Sequence, residues 1–288
     1  MSGILLDMHS HSSFSPDAND SLEKMYIRAA ELGFSAYAVT EHCDCNFWYP
    51  AEHYFDDVSL ASDPVMYGSG DYAKTSISEQ TRLRECFEGK LDISVGIELG
   101  QPLQDISHAE EIVKDPRIDF VIGSHHQNAG INDFYYLKYD EMCTDEIYRL
   151  LEEYFLQMLD MCKWGKFDVL GHLTYPLRYI CGDYGIGIDI SRFDGIIEII
   201  FKTLAENGKG IEINTSGLRQ KYGRTFPEPY YVQLYRQLGG EIITVGSDAH
   251  CTADLGKGIP EGIEIIRNAG FKYICWFKNR KPEFIKIR

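Results

Sequence analysis

The chain has 288 residues, 44% hydrophobic and 25% charged, which is enough apolar material for a large core and too little bias for a disordered, collagenous or low-complexity chain. Its 28 Lys and Arg stand against 44 Asp and Glu, and the resulting net charge of −16 disfavours a long nucleic-acid footprint, which needs clustered cations. No stretch approaches the roughly 20 apolar residues of a spanning helix, and the start Met1-Ser2-Gly3-Ile4-Leu5-Leu6-Asp7 lacks a basic region and an apolar run, so the reading is a cytoplasmic protein without membrane contact.

In chain order, a β-rich run at Ile4–Met8 leads to a helical segment Ser21–Leu32 with Ser21 as its cap. Further strands are predicted at Ala36–Thr40, Ile93–Ile97, Phe120–Gly123, Val169–Gly171, Gly210–Ile213 and Ile242–Gly246, with an eighth at Tyr273–Phe277. Helical periods fall between them at Glu79–Phe87, Ser107–Lys114, Thr144–Trp164, Phe193–Glu206, Pro229–Leu238 and Pro260–Asn268. This alternation without a linker favours one α/β barrel over two doubly wound halves. Two irregular stretches rich in Tyr, Asp, Gly and Pro, Asp44–Ser78 and Thr174–Ser191, interrupt the series and read as loops that shape the mouth of an active site.

Almost every strand ends on residue types that hold metal ions. The first runs into His9-Ser10-His11 and then Asp17, the second into Glu41-His42, the third into Glu98 and the fourth into His125-His126; the fifth ends at His172, the sixth at Glu212-Ile213-Asn214, and the seventh at Asp248-Ala249-His250. In a barrel these C-terminal ends converge on one face, so residues far apart in sequence meet in one cup. Any single one of them has an ordinary structural reading, such as a core histidine or a carboxylate satisfied by backbone donors. Seven strand ends in succession carry the metal reading. His53 and His108 do not end strands and read as surface residues, the alternative for His53 being that it reaches the pocket from its loop. The eight cysteines read as free thiols, and Cys43 and Cys45, with no second Cys pair, make a weak zinc signal.

The pattern His9-x-His11, Glu41-His42, Glu98, Gly123-Ser124-x-His126, Gly171-His172 and Asp248-x-His250 resembles the polymerase-and-histidinol-phosphatase (PHP) superfamily over nearly the whole chain. Gly171-His172-Leu173 and the run from Glu212 to Arg219 are similar to its stand-alone histidinol phosphatases. The resemblance implies a distorted (β/α)7 TIM-like barrel, one domain over 1–288, holding three divalent transition-metal ions (zinc, manganese or iron). It implies that His9, His11, Glu98 and Asp248 surround the first ion and that Glu98 bridges to a second held also by His126 and His172. Asp17, His42 and His250 would hold the third. A shorter Gly-x-His spacing, as in other relatives, would select His125 in place of His126.

Such a cluster lowers the pKa of a bridging water and binds phosphate oxygens, which suits phosphomonoester hydrolysis by attack of a metal-bridging hydroxide. Glu98 and Asp248 then belong to the catalytic centre with Arg178 and Arg219, which come after the fifth and sixth strands and would act as guanidinium forks on the phosphate. Arg224 is the alternative to Arg219; Ser216 and Asn214 would supply neutral donors. Tyr49, Glu52 and Tyr179 are candidates to hold a cationic organic part, and Glu41 or a metal-bound water to protonate the leaving group. The implied substrate is a small phosphomonoester, L-histidinol phosphate. A PHP-type phosphoesterase or exonuclease on nucleotides or short oligonucleotides, and a non-catalytic metal-binding module, are the alternatives; oligomeric state is not readable.

Overall fold

The computed structural model describes residues 6–46 and 70–287. Seven strands form one parallel sheet in sequence order: β1 (Leu6–Asp7), β2 (Ala36–Asp44), β3 (Asp92–Gly100), β4 (Phe120–Ser124), β5 (Val169–Leu170), β6 (Gly210–Asn214) and β7 (Ile243–Gly246). The ring closes between its first and last members. Met8 donates to Val245 O at 3.0 Å, Asp248 to His9 O at 2.8 Å and His11 to Ala249 O at 2.8 Å. The fold is thus the (β/α)7 barrel expected from the sequence.

Among the described residues seven α-helices alternate with the strands: α1 (Leu22–Glu31), α2 (Gly70–Cys86), α3 (Ile106–Ile112), α4 (Thr144–Trp164), α5 (Asp194–Glu206), α6 (Pro229–Gln237) and α7 (Ile259–Asn268). Ser21 caps α1 by accepting the amide of Lys24 at 3.4 Å. The longest, α4, buries Ile147, Leu151, Tyr154, Phe155, Met158 and Cys162 at helical spacing, and it stops at Gly165, whose φ of 63° suits a residue without a Cβ. Removing such side chains from water stabilises the barrel by about 1.5–3 kcal/mol each. Among the described residues no helix is long and apolar enough to cross a membrane.

The eighth predicted strand is real but lies outside the barrel. Residues Tyr273–Lys278 (β8) pair antiparallel with Lys281–Lys286 (β9), a strand absent from the sequence reading because its alternation is largely polar. This hairpin lies by the N-terminal ends of β3 and β4: Phe277 stacks on Phe120 at 4.8 Å and its carbonyl accepts from Ser94 Oγ at 2.5 Å. Arg280 locks it there through Asp168 at 2.6 Å.

The segment after His172 is more ordered than a loop. It forms a π-helical turn at Arg178–Asp183 and a 3-10 turn at Ile190–Phe193, with Tyr175, Leu177, Tyr179 and Ile180 buried. Of the other interruption, Asp44 belongs to β2 and residues 70–78 to α2. Its centre lies outside the described residues, as do Ile4 and Leu5 of the first predicted strand.

Candidate active site

Strand alternation decides which side chains enter the cup. In the β2–β3 register His42 lies opposite Glu98, and both face inward. At β7 the approach is so close that a Cβ on Gly246 would fall on His9 Cβ and Glu212 Oε1, so glycine is required there. The next turn places Asp248 in the left-handed region at φ 53°, held by the hydrogen bond that its backbone N–H donates to His9 O and by Arg219, which donates to its carbonyl at 3.3 Å.

Three groups of donors result. In the first, Nε2 of His9 and His11 lie 3.2 Å apart, at 3.3 and 3.5 Å from Glu98 Oε2 and at 3.6 and 3.4 Å from Asp248 Oδ1. Four ligands about 2.1 Å from one ion stand about 3.4 Å from each other in a tetrahedron, so these five separations match the spacing that one ion would require. In the second, the other oxygen of Glu98, Oε1, lies 3.2 Å from His126 Nε2 and 2.8 Å from His172 Nε2, with the two imidazoles 3.2 Å apart. In the third, at the mouth, Asp17 Oδ2 lies 3.5 Å from His42 Nε2 and 3.0 Å from His250 Nε2. Depth separates them: His9 and His11 are inaccessible, whereas His42, His250 and Asp17 are 22%, 28% and 51% exposed.

Hydrogen bonding alone does not account for this packing. Glu98 Oε2 is buried and accepts no hydrogen bond although three imidazoles touch it, and two adjacent Nε2 atoms cannot both donate to each other. The chemistry of the donors fits divalent metal ions, with hard carboxylate and borderline imidazole ligands. Partners on Nδ1 aim the ligating nitrogens: His9 donates to Glu212 Oε1 at 2.6 Å, His126 faces Asp44 Oδ1 at 3.3 Å, His11 faces Ser15 Oγ at 3.3 Å and His250 faces Asp248 O at 3.1 Å. Glu212 also accepts the amide of His172 at 3.1 Å, and Ser124 Oγ donates to Glu98 Oε1 at 2.6 Å. The aiming roles of Asp44 and Glu212 were missed in the sequence. Glu212 stood at a strand end, but only its register with His9 across the closed ring reveals what it does.

The titration of the ion-free cluster reflects the same crowding. Burial opposes ionisation of Glu98, yet the charges of His9, His126 and His42 outweigh it and hold the carboxyl well below its ordinary range. Burial likewise works against protonation of His126, but Glu98 and Asp44 push it up to about 10. For His11, burial and the charges of His42 and His250 act together and bring it down to about 3. Because His9, His42 and His126 are all raised, protons stand where ions would bind and must leave first. Metal uptake at neutral pH is therefore expected to release at least one proton, with apparent affinity rising about tenfold per pH unit for each proton displaced. Calorimetric zinc titration in two buffers of different ionisation enthalpy counts those protons, and a count of zero would contradict the ligand set.

Over this cup lie two guanidinium groups. Arg178 donates through one Nη to Asp248 Oδ2 at 3.0 Å and to Ser216 Oγ at 2.8 Å, between the rings of Tyr175 and Phe226, and its Nε is buried without a partner. Arg219 also has a buried, unpartnered Nη. Asn214 accepts from the Ser216 amide at 3.0 Å and from its hydroxyl at 2.6 Å, so it braces Ser216 and thereby Arg178. Arg224 turns away to Glu228 at 2.9 Å and does not replace Arg219. Tyr175 lies against His126 and His172 at 5.0 Å each and bonds Tyr179 at 2.8 Å; its hydroxyl reaches Asp133, whose carboxyl burial lifts to about 6.

The structure thus brings His9, His11, Asp17, His42, Glu98, His126, His172, Asp248 and His250 into one basin. His125 points into the core instead, with Nε2 on Asn128 at 3.0 Å and its ring by Tyr154. Glu41, the candidate acid, faces away from the cup: it accepts from Ser12 N at 3.2 Å, from Ser12 Oγ and from Ser15 Oγ at 2.5 Å, and so braces the turn after His11. Tyr49, Glu52 and His53 lie outside the described residues. His108 is half-buried, not a free surface group.

A seven-stranded barrel with clustered imidazoles and carboxylates at its C-terminal mouth is the architecture of a metal-dependent hydrolase. The chain belongs to the PHP domain family, whose profile matches residues 7–216. It is 30% identical over 290 residues to the histidinol-phosphatase of Lactococcus lactis, covering 96% of this chain and 95% of that one. It is 28% identical over 285 residues to a probable histidinol-phosphatase of Thermotoga maritima, with 99% and 100% coverage. Among solved structures, it is similar to the L. lactis histidinol phosphate phosphatase in complex with zinc, L-histidinol and phosphate, with a TM-score of 0.78, 27% identity and coverage of 97% and 98%.

Proposed function

We propose that this chain is a metal-dependent phosphomonoesterase that hydrolyses L-histidinol phosphate to L-histidinol and phosphate. The observation that carries the reading is the division of Glu98, whose two oxygens serve two adjacent donor groups beneath Arg178. The likeness over nearly full length to the L. lactis enzyme, solved with histidinol and phosphate, supports the substrate. His9, His11, Glu98 and Asp248 would hold one ion, Glu98, His126 and His172 a second, and Asp17, His42 and His250 a third, drawn from zinc, manganese or iron. Ions bound there supply an activated water and polarise the phosphate.

The remaining work falls to the chain. Arg178 and Arg219 bind the phosphate oxygens and neutralise the charge that spreads over them in the transition state. Ser216, fixed by Asn214, keeps the Arg178 fork in place. Tyr175 and Tyr179 line the wall beside His126, and Asp133 behind them offers a carboxylate to a cationic imidazole or amine. Residues 1–288 would act as one catalytic unit, with Arg178 and Tyr179 of the 174–191 segment beside the mouth.

A pocket that orients the organic part should give kcat/KM for L-histidinol phosphate about a hundredfold above that for a generic aryl phosphate. The test is a competition assay at neutral pH with zinc or manganese supplied and a short oligonucleotide as third substrate. A better rate on the aryl phosphate or the oligonucleotide would remove the histidinol phosphate assignment.

A further inference from the structure

On β2 the residues that face the cup alternate with residues that face the opposite side. His42 and Asp44 reach the catalytic groups, so Cys43 and Cys45 point outward, and α3 brings His108 over them. The two sulfurs and a ring nitrogen of His108 all lie within 4.8 Å of one another. Both thiols are inaccessible, and His108 Nε2 is buried without a hydrogen-bond partner among the described residues.

We propose that Cys43, Cys45 and His108 form a second metal site, outside the barrel, for a thiophilic divalent ion of the zinc class. Among the described residues the only hydrogen bond of these side-chain groups is the long one from Cys45 Sγ to Cys43 O at 3.8 Å, which leaves the imidazole unsatisfied, whereas a soft ion accepts a lone pair from all three. Zinc–ligand distances of about 2.0–2.3 Å place such donors within about 4 Å of each other, a contraction that side-chain rotation supplies. Binding breaks two S–H bonds, forms two S–metal bonds and releases both protons to water. Two thiolates and one neutral imidazole around a divalent ion carry no net charge, so the ion can lie between sheet and helix without an unpaired charge. Glu111, one turn along α3, is held by Lys74 at 2.6 Å, which leaves the fourth position to water at the half-buried edge of His108. The ion would fasten α3 to the end of β2, the strand that carries His42.

The test uses the reduced, metal-stripped full chain titrated with cobalt(II). The donors of the catalytic cluster are imidazoles and carboxylates, so a thiolate-to-cobalt charge-transfer band in the near ultraviolet reports a cysteine site, and its loss on substitution of Cys43 and Cys45 separates this site from the six other free thiols, Cys251 beside His250 included. The expected result is that band, bleached by added zinc and absent from the Cys43→Ser/Cys45→Ser double variant, which also binds one ion fewer per chain. Replacement of the half-buried imidazole in His108→Ala leaves the strand intact and should weaken cobalt binding at this band at least about tenfold. No band at saturating cobalt, a band that survives the double substitution, or an unchanged midpoint in His108→Ala would each overturn the assignment.

Discussion

Glu98→Gln should lose metal and hydrolytic activity together. The amide keeps the shape but offers one neutral oxygen and an NH2 that cannot ligate, so the first and second donor groups no longer share an anion. The expected outcome is at least one ion fewer per chain by elemental analysis and a fall in kcat of about a thousandfold or more, which corresponds to about 4 kcal/mol of lost transition-state stabilisation. The variant should also gain less thermal stability from added zinc, because ligand-induced stabilisation tracks occupancy. Full metal content with normal turnover would mean that Glu98 does not bridge.

Arg178→Ala should leave the metal in place. The guanidinium touches Asp248 through Oδ2, while the donor group uses Oδ1, so its removal leaves the ligating oxygen in place. Metal content is expected to stay constant while kcat/KM falls by about 30- to 1000-fold, or about 2–4 kcal/mol, the scale of deleting one preorganised charge donor. Arg219→Ala should act in the same direction. Unchanged kcat/KM in both variants would show that the phosphate lies elsewhere.

Much of this could be read from the chain before folding, for a physical reason. A parallel barrel sends every strand end to one face, so the residues just past the strands are the residues of the cup. The parts that could not be read depend on contacts across the ring. Asp44 and Glu212 aim His126 and His9 through registers that the sequence does not display. Glu41 and His125 sit beside ligands in sequence but point to the other face, as successive strand residues do. Alternation also could not distinguish a barrel strand from β8, because β8 satisfies the same pattern in a hairpin under the barrel floor. His108 passed as a surface residue because its neighbours lie on a distant strand.

The seam between β1 and β7 has a consequence for the life of the chain during synthesis. His9 and His11 are made well before Asp248, so the hydrogen bonds from Met8, His11 and Asp248 that close the ring become available only after strands β2 to β7 have also been made. Until then the nascent sheet is an open fan with an unpaired edge and exposed apolar faces, the state most prone to aggregation. An ion held by the first donor group would tie the two edges together and offset the entropy of closing so long a loop, as a clasp does. If the first donor group takes up its ion during synthesis, metal-starved cultures are expected to yield more of the protein in the insoluble fraction, which fractionation of cultures grown with and without added zinc checks.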